Sequence, residues 1–245
     1  MTFELHALTF DAHDPQALAM FWSGVLGREL VDDPYDGITL LPSDETQVRL
    51  RFVPSQETKV GQNRMHFDLN STSPEGQQET VARALELGGR HIDVGQLPEE
   101  GHVVLADPEG NEFCVIEAGN SFTAGCGFIG ALACDGSQAV GYFWSAALGW
   151  PLVWDQDEET AIQSPRGGTK INWGGPPVAP KAGKNRLHFD LAPSADADQV
   201  AEVDRLVSLG ATRLDARGGE GGRVVMADPD GNEFCVLTPG SGGLA

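Results

Sequence analysis

Apolar residues recur along this chain with two periods. Leu18, Phe21, Trp22 and Val25 fall at i, i+3, i+4 and i+7, the spacing of one helix face, and Val140, Phe143, Trp144 and Ala147 repeat it. Asp14-Pro15 and Ser73-Pro74 read as an N-cap followed by proline in the first turn. Leu26-Gly27 and Leu148-Gly149 close their helices on a glycine suited to a left-handed C-cap. Helices of the same kind are predicted near Gln77–Leu87 and Gln199–Leu209. Between helices the period drops to two. Met65, Phe67 and Leu69 point one way, and His66, Asp68 and Asn70 the other. The pattern predicts four modules, each a strand, a helix and about three short strands.

The pattern is also duplicated. Asn63-Arg64-Met65-His66-Phe67-Asp68-Leu69 returns as Asn185-Arg186-Leu187-His188-Phe189-Asp190-Leu191, 122 residues later. The run Asp107 to Val115 returns at Asp228 to Val236 with one difference in nine. Phe21-Trp22-Ser23 returns as Phe143-Trp144-Ser145. The chain therefore reads as two homologous halves, 1–122 and 123–245, joined near the small, Gly- and Ser-containing stretch Ala118 to Gly125. A weaker repeat inside each half sets Leu26-Gly27 61 residues before Leu87-Gly88, and Leu148-Gly149 61 before Leu209-Gly210. The fold class expected is α+β, with two tandem domains of two modules each.

Charge narrows the partners. The 245 residues carry 36 Asp and Glu against 16 Lys and Arg, a net charge of −20. That balance argues against nucleic acid, whose phosphates need clustered cations, and against anionic membrane surfaces. A hydrophobic content of 40% supports a globular chain. Four scattered cysteines do not make a disulfide scaffold. Glu4 and Asp11 speak against a signal peptide, and the uncharged stretch Gly136 to Trp154, with its Gly, Gln138 and Pro151, reads as buried rather than membrane-spanning. A cytoplasmic protein is expected.

The residues that repeat resemble the vicinal oxygen chelate superfamily, the glyoxalase/bleomycin-resistance/dioxygenase fold, and within it a glyoxalase-like subgroup. The match is carried by Asp14-Pro15 with Phe21-Trp22 and Leu26-Gly27, by Lys59 with Asn63-Arg64 and His66-Phe67-Asp68-Leu69, and by Asp107-Pro108 with Gly110-Asn111-Glu112-Phe113-Cys114-Val115. It covers nearly the whole chain as two tandem domains. The resemblance implies paired βαβββ modules whose sheets curl round a cleft, with helices outside. It also implies, for the metal enzymes of the family, four ligands from the first strand, the fourth, the strand after the linker and the last. Here those positions hold Ala7 or His6, Arg51 or Arg49, His66 and Cys114. In the second half they hold Ile129 or Phe128, Asn172 or Lys170, His188 and Cys235. Carboxylates are missing and arginine repels a cation, so no metal cofactor is expected, with His6, His66 and Cys114 as the fallback set.

Several cleft positions have two readings. His66 and His188, each two residues before an aspartate, are candidate general bases, or members of a structural network with Asn63-Arg64 and Asn185-Arg186. Cys114 and Cys235 are small buried residues, or thiolates served by those histidines. Arg49 and Arg51 suit a carboxylate or phosphate, or offset acidic neighbours, and Lys170 and Asn172 replace them in the second half. Trp150 and Trp154 stack on a flat ligand, or cover a sheet edge. Asp155 to Glu159 reads as a solvated turn, without calcium-loop spacing. The first half carries a charge of −14 and the second −6, which favours the second for an apolar or aromatic ligand. The function expected is small-molecule binding without metal, of the bleomycin-resistance kind, sequestering an antibiotic or other aromatic metabolite. The alternative is a lyase, isomerase or dioxygenase of the same superfamily, using a divalent metal or a histidine base. A monomer whose halves imitate a dimer is expected.

Overall fold

A computed structural model describes residues 3–33, 37–97, 99–215 and 222–239. Four modules follow one another. The first is β1 (Phe3–Ala12), α1 (Pro15–Leu26), β2 (Leu30–Asp33), β3 (Gly37–Leu40) and β4 (Arg49–Pro54). The second is β5 (Met65–Leu69), α2 (Pro74–Glu86), β6 (Arg90–His91), β7 (Val103–Ala106) and β8 (Glu112–Val115). The third is β9 (Ile129–Cys134), α3 (Gln138–Leu148), β10 (Leu152–Gln156), β11 (Glu159–Gln163) and β12 (Lys170–Trp173). The fourth is β13 (Leu187–Pro193), α4 (Gln199–Ser208), β14 (Thr212–Arg213), β15 (Val224–Ala227) and β16 (Glu233–Val236).

Local chemistry sets the helix ends. The Asp14 carboxylate accepts the Ala17 amide and the Ser73 hydroxyl accepts that of Gly76, each ahead of a first-turn proline. Gly27 and Gly149 stand in the left-handed region at φ 66° and 67°, as C-caps of α1 and α3. The acidic turn between β10 and β11 puts Asp157 and Glu158 at positive φ, the geometry of a tight hairpin. No helix among the described residues is long and apolar enough to cross a membrane.

The sheets do not follow the sequence halves. One, sheet A, has the strand order β14-β15-β16-β13-β1-β4-β3-β2, so it joins the first module to the fourth. The other, sheet B, runs β10-β11-β12-β9-β5-β8-β7-β6 and joins the third to the second. The seams are antiparallel: β1 against β13 from Phe3↔Pro193 to Phe10↔Leu187, and β5 against β9 from Met65↔Cys134 to Leu69↔Ile129. One core connects both sheets. Trp22 of α1 packs edge-on against Phe67 and Phe113 of sheet B, with ring centroids 5.0 and 5.1 Å away. Trp144 of α3 meets Phe189 and Phe234 of sheet A in the same way, both at 5.1 Å. Each tryptophan N–H finds a buried carboxylate, Trp22 on Asp107 at 3.1 Å and Trp144 on Asp228 at 3.2 Å. The repeated Asp-Pro-x-Gly-Asn turns are therefore anchors for the helices as well as hairpins.

Candidate functional site

Strand alternation puts one residue in two on the face turned away from this core. On sheet B that face carries the cross-strand row Trp154–Ala161–Asn172–Ala133–His66. Beside it runs the row Gln163–Lys170–Ala131–Asp68–Cys114–Val104. The equivalent rows of sheet A are Val31–Thr39–Arg51–Thr9–His188 and Arg49–Ala7–Asp190–Cys235–Val225. The two clefts thus hold the same His-x-Asp and Cys scaffold but differ in what surrounds it.

Sheet A fills its cleft with its own ions. The Arg51 guanidinium grips Asp33 with two hydrogen bonds, Nε at 2.7 Å and Nη2 at 3.1 Å, and points Nη1 at Asp190 at 3.5 Å. Thr9 donates to the same Asp190 oxygen at 2.6 Å, and Thr39 donates to Asp33 at 2.9 Å. Arg51, Asp190, His188 and Cys235 are all buried. Burial holds the His188 imidazole below its ordinary range and pushes the Cys235 thiol up to about 12, so both are neutral near pH 7. The Nδ1 of His188 has no partner among the described residues. A β-bulge between Leu5 and Ala7 turns His6 beside Arg49, Nε2 to Nη1 at 3.2 Å. Burial and then the Arg49 charge lower its basicity.

Sheet B lacks that filling. Asn172 stands where sheet A has Arg51, and Ala133 and Ala161 replace Thr9 and Thr39. The His66 side chain is 34% exposed and that of Asp68 16%, against 7% and 2% for His188 and Asp190. His66 Nε2 lies 3.5 Å from Asp68 Oδ1. Burial works against protonation of His66, but hydrogen bonds to Asp68 and Cys114 override it and push its pKa up to about 10. The Asn172 Oδ1 is buried with no donor among the described residues. Lys170 turns its ammonium to the Phe122 carbonyl and over the Phe122 ring, 4.9 Å from its centroid.

The sequence-predicted residues are thereby redistributed. His6 lies on sheet A, while His66 and Cys114 lie on sheet B, so the fallback set His6, His66 and Cys114 is separated by the pairing of modules across the halves. Arg51 faces His188 rather than His66, and it is consumed by Asp33 and Asp190. Trp154 is 39% exposed at the edge of the sheet B row, whereas Trp150 packs against the core and does not line the cleft. Asn63 and Arg64 do not join the His66–Asp68 pair. Asn63 bonds Asn111 and Glu112, and Arg64 bonds the carbonyls of Ala179 and Asp135. The residue that sequence reasoning missed is Asp33, the acid that holds Arg51. Its signal was only an aspartate ending a short strand, and its partner lies across β3, on β4.

The metal implied by the resemblance fits one sheet and not the other. In sheet A the guanidinium already neutralises Asp190, and Ala7 offers no ligand, so a second cation is repelled. In sheet B the ligand atoms of His66, Asp68 and Cys114 lie within 4.8 Å of one another, three donors of the kinds zinc accepts, on a partly open face. His188, Asp190 and Cys235 converge equally closely, but behind the Arg51 charge.

Comparison with known proteins agrees with this architecture. The glyoxalase-like domain family matches residues 7–116 and again residues 130–237. Glyoxalase I from Zea mays shares 14% sequence identity and superposes with a TM-score of 0.63, over 96% of this chain and 92% of that one. A putative dioxygenase from Bacillus subtilis shares 16% identity with a TM-score of 0.61, over 98% and 87%. At such identities the likeness is one of fold. No curated protein matches the chain in sequence. With two copies of the domain matched across most of its length, this chain belongs to the glyoxalase-like family.

Proposed function

We propose that the chain binds a small organic molecule in the sheet B cleft, as a sequestering protein of the glyoxalase/bleomycin-resistance type. The observation that carries this reading is the unequal exposure of two identical motifs. His66 and Asp68 reach solvent, while His188 and Asp190 are sealed by Arg51 and its acids. Ala133 and Ala161 stand where sheet A has Thr9 and Thr39, so this face carries methyl groups in place of the hydroxyls that tie Asp190 and Asp33. Protonated His66 supplies a charged donor, and Trp154 offers a flat apolar face at the open end. Those features favour an aromatic molecule that carries a hydrogen-bond acceptor. A screen of aromatic antibiotics and small dicarbonyl compounds by thermal shift, followed by calorimetry, tests the reading. Trp154→Ala should weaken a hit by about 1–3 kcal/mol, roughly one to two decades in affinity, and His66→Gln should weaken it too. A ligand whose affinity ignores both substitutions would overturn the assignment to sheet B.

The convergence of His66, Asp68 and Cys114 favours a second reading, a metal-assisted enzyme of the same superfamily. A bound divalent ion would act there as a Lewis acid toward a substrate oxygen. Stoichiometric cobalt uptake with a thiolate charge-transfer band, lost in Cys114→Ser, would support it. Failure to bind cobalt or zinc would leave sequestration as the reading.

A further inference from the structure

The two halves also meet at a cavity of about 470 Å³, between the loops that lead into β5 and β13. Lys59, Arg64, Lys184 and Arg186 line it, with Asp135 as the single acid. In a chain of net charge −20, a quarter of its 16 Lys and Arg line this one hollow. The carboxylates that pair with three of them, Glu112, Asp11 and Glu109, are not among the lining residues. Each of the four cations keeps a carboxylate partner, so an anion would be held there by N–H donors left over from those pairs rather than by net charge.

The repeat shows which cation is short of a partner. Arg186 and Arg64 are counterparts. Arg186 is the better paired: Nε and Nη2 donate to the Asp11 carbonyl at 3.2 and 2.8 Å, and Nη2 also bonds Glu109. Glu109 is also the one position in its nine-residue motif that differs, being Asp230 in the second half. One methylene shorter, Asp230 spends both oxygens on Ser137, at 2.6 Å from its amide and 3.0 Å from its hydroxyl. Arg64 is left with the carbonyls of Ala179 and Asp135 and one looser ion pair, to the Asp135 carboxylate at 3.6 Å. Its side chain is only 10% exposed, and its Nε has no acceptor among the described residues. Buried donors of this kind are nearly always satisfied.

We infer that this cavity is a binding site for a small organic anion bearing a carboxylate or phosphate group, with Arg64 as its principal contact. The site lies apart from the sheet B cleft and does not depend on the function proposed for it. A planar guanidinium with a free N–H suits a carboxylate or phosphate oxygen, and the ammonium groups of Lys59 and Lys184, each with three N–H donors, stand on the same wall. The intact chain should be titrated separately with inorganic phosphate and with succinate, by calorimetry at fixed ionic strength so that screening is constant. Saturable one-to-one binding of at least one anion is expected, and which of them binds identifies the group. Arg64→Gln should weaken that binding about tenfold or more. Because Arg64 also supports the loops, Ala182→Glu provides an independent check. It places a carboxylate on an exposed lining residue, touches none of the Arg64 hydrogen bonds, and should weaken binding likewise. Absence of saturable binding by either anion up to about 10 mM would overturn the inference. So would an affinity unchanged by both substitutions.

Discussion

His66 and His188 occupy the same place in the same seven-residue motif, yet the fold gives them opposite electrostatics. His66, partly open and paired with Asp68 and Cys114, is held protonated with a pKa of about 10 against an ordinary 6.5. His188, sealed against Asp190, is held below 6.5 by burial. Linkage then gives opposite signs. A raised folded-state pKa means that His66 contributes stability fully present below pH 6.5 and lost as the pH rises towards 10. A lowered one means that His188 contributes stability present above pH 6.5 and lost as the pH falls below it. Urea midpoints of chelator-treated protein measure both. The advantage of the wild type over His66→Gln should shrink from pH 6.5 to 10. Its advantage over His188→Gln should shrink as the pH drops below 6.5. Equal slopes for the two variants would contradict the environments described. The same contrast is the ground for proposing the sheet B cleft, and not that of sheet A, as the ligand site. Arg51 in sheet A is a resident cation, and Asn172 in sheet B leaves that place uncharged.

At the scale of elements, helix seating depends on close approaches that side-chain periodicity does not reveal. Gly141 lies in the second turn of α3, where β11 passes directly beneath. A Cβ there would stand 1.9 Å from Thr160 Oγ1 and 2.5 Å from Thr160 Cβ. Thr160 is fully buried and has nowhere to retreat. Glycine to alanine in a helix ordinarily gains about 1 kcal/mol of propensity. Here overpacking, about 1–3 kcal/mol, opposes it and should win. Gly141→Ala should therefore lower the denaturation midpoint, and a rise would show that α3 sits farther from the sheet than described. The corresponding residue of α1 is Ala19, itself buried, so the first-half helix accommodates there the methyl that α3 lacks.

At the scale of the whole molecule, neither half can complete a sheet by itself. Residues 1–122 supply β1–β4 to sheet A and β5–β8 to sheet B, and residues 123–245 supply the rest. Separating the halves would expose the β1 and β5 edges in one fragment and the β13 and β9 edges in the other. Fragments 1–122 and 123–245 expressed apart should self-associate or misfold. Co-expressed, they should purify as a one-to-one complex with both sheets restored. Well-behaved separate monomers, as heat-stable as the intact chain, would contradict this organisation. Because the halves share one chain they differ in residue content, and one sheet carries Arg51 and Asp33 where the other carries Asn172.

Much of this was legible without coordinates. The 3.6-residue spacing of Leu18 to Val25 and of Val140 to Ala147, the caps at Asp14, Ser73, Gly27 and Gly149, and the alternation in β5 follow from local sterics and hydrogen bonding, so sequence alone determines them. The duplication and the family resemblance are likewise written in residue identities. What tertiary structure decided is which strands adjoin, because strand pairing is a long-range choice that no local pattern encodes. That choice separated His6 from His66, set Arg51 against Asp33 and Asp190, and made equal motifs unequal in exposure. It also gathered four cations at the crossing of two loops more than a hundred residues apart in sequence, where one missing methylene at Asp230 leaves Arg64 without the carboxylate that Arg186 has.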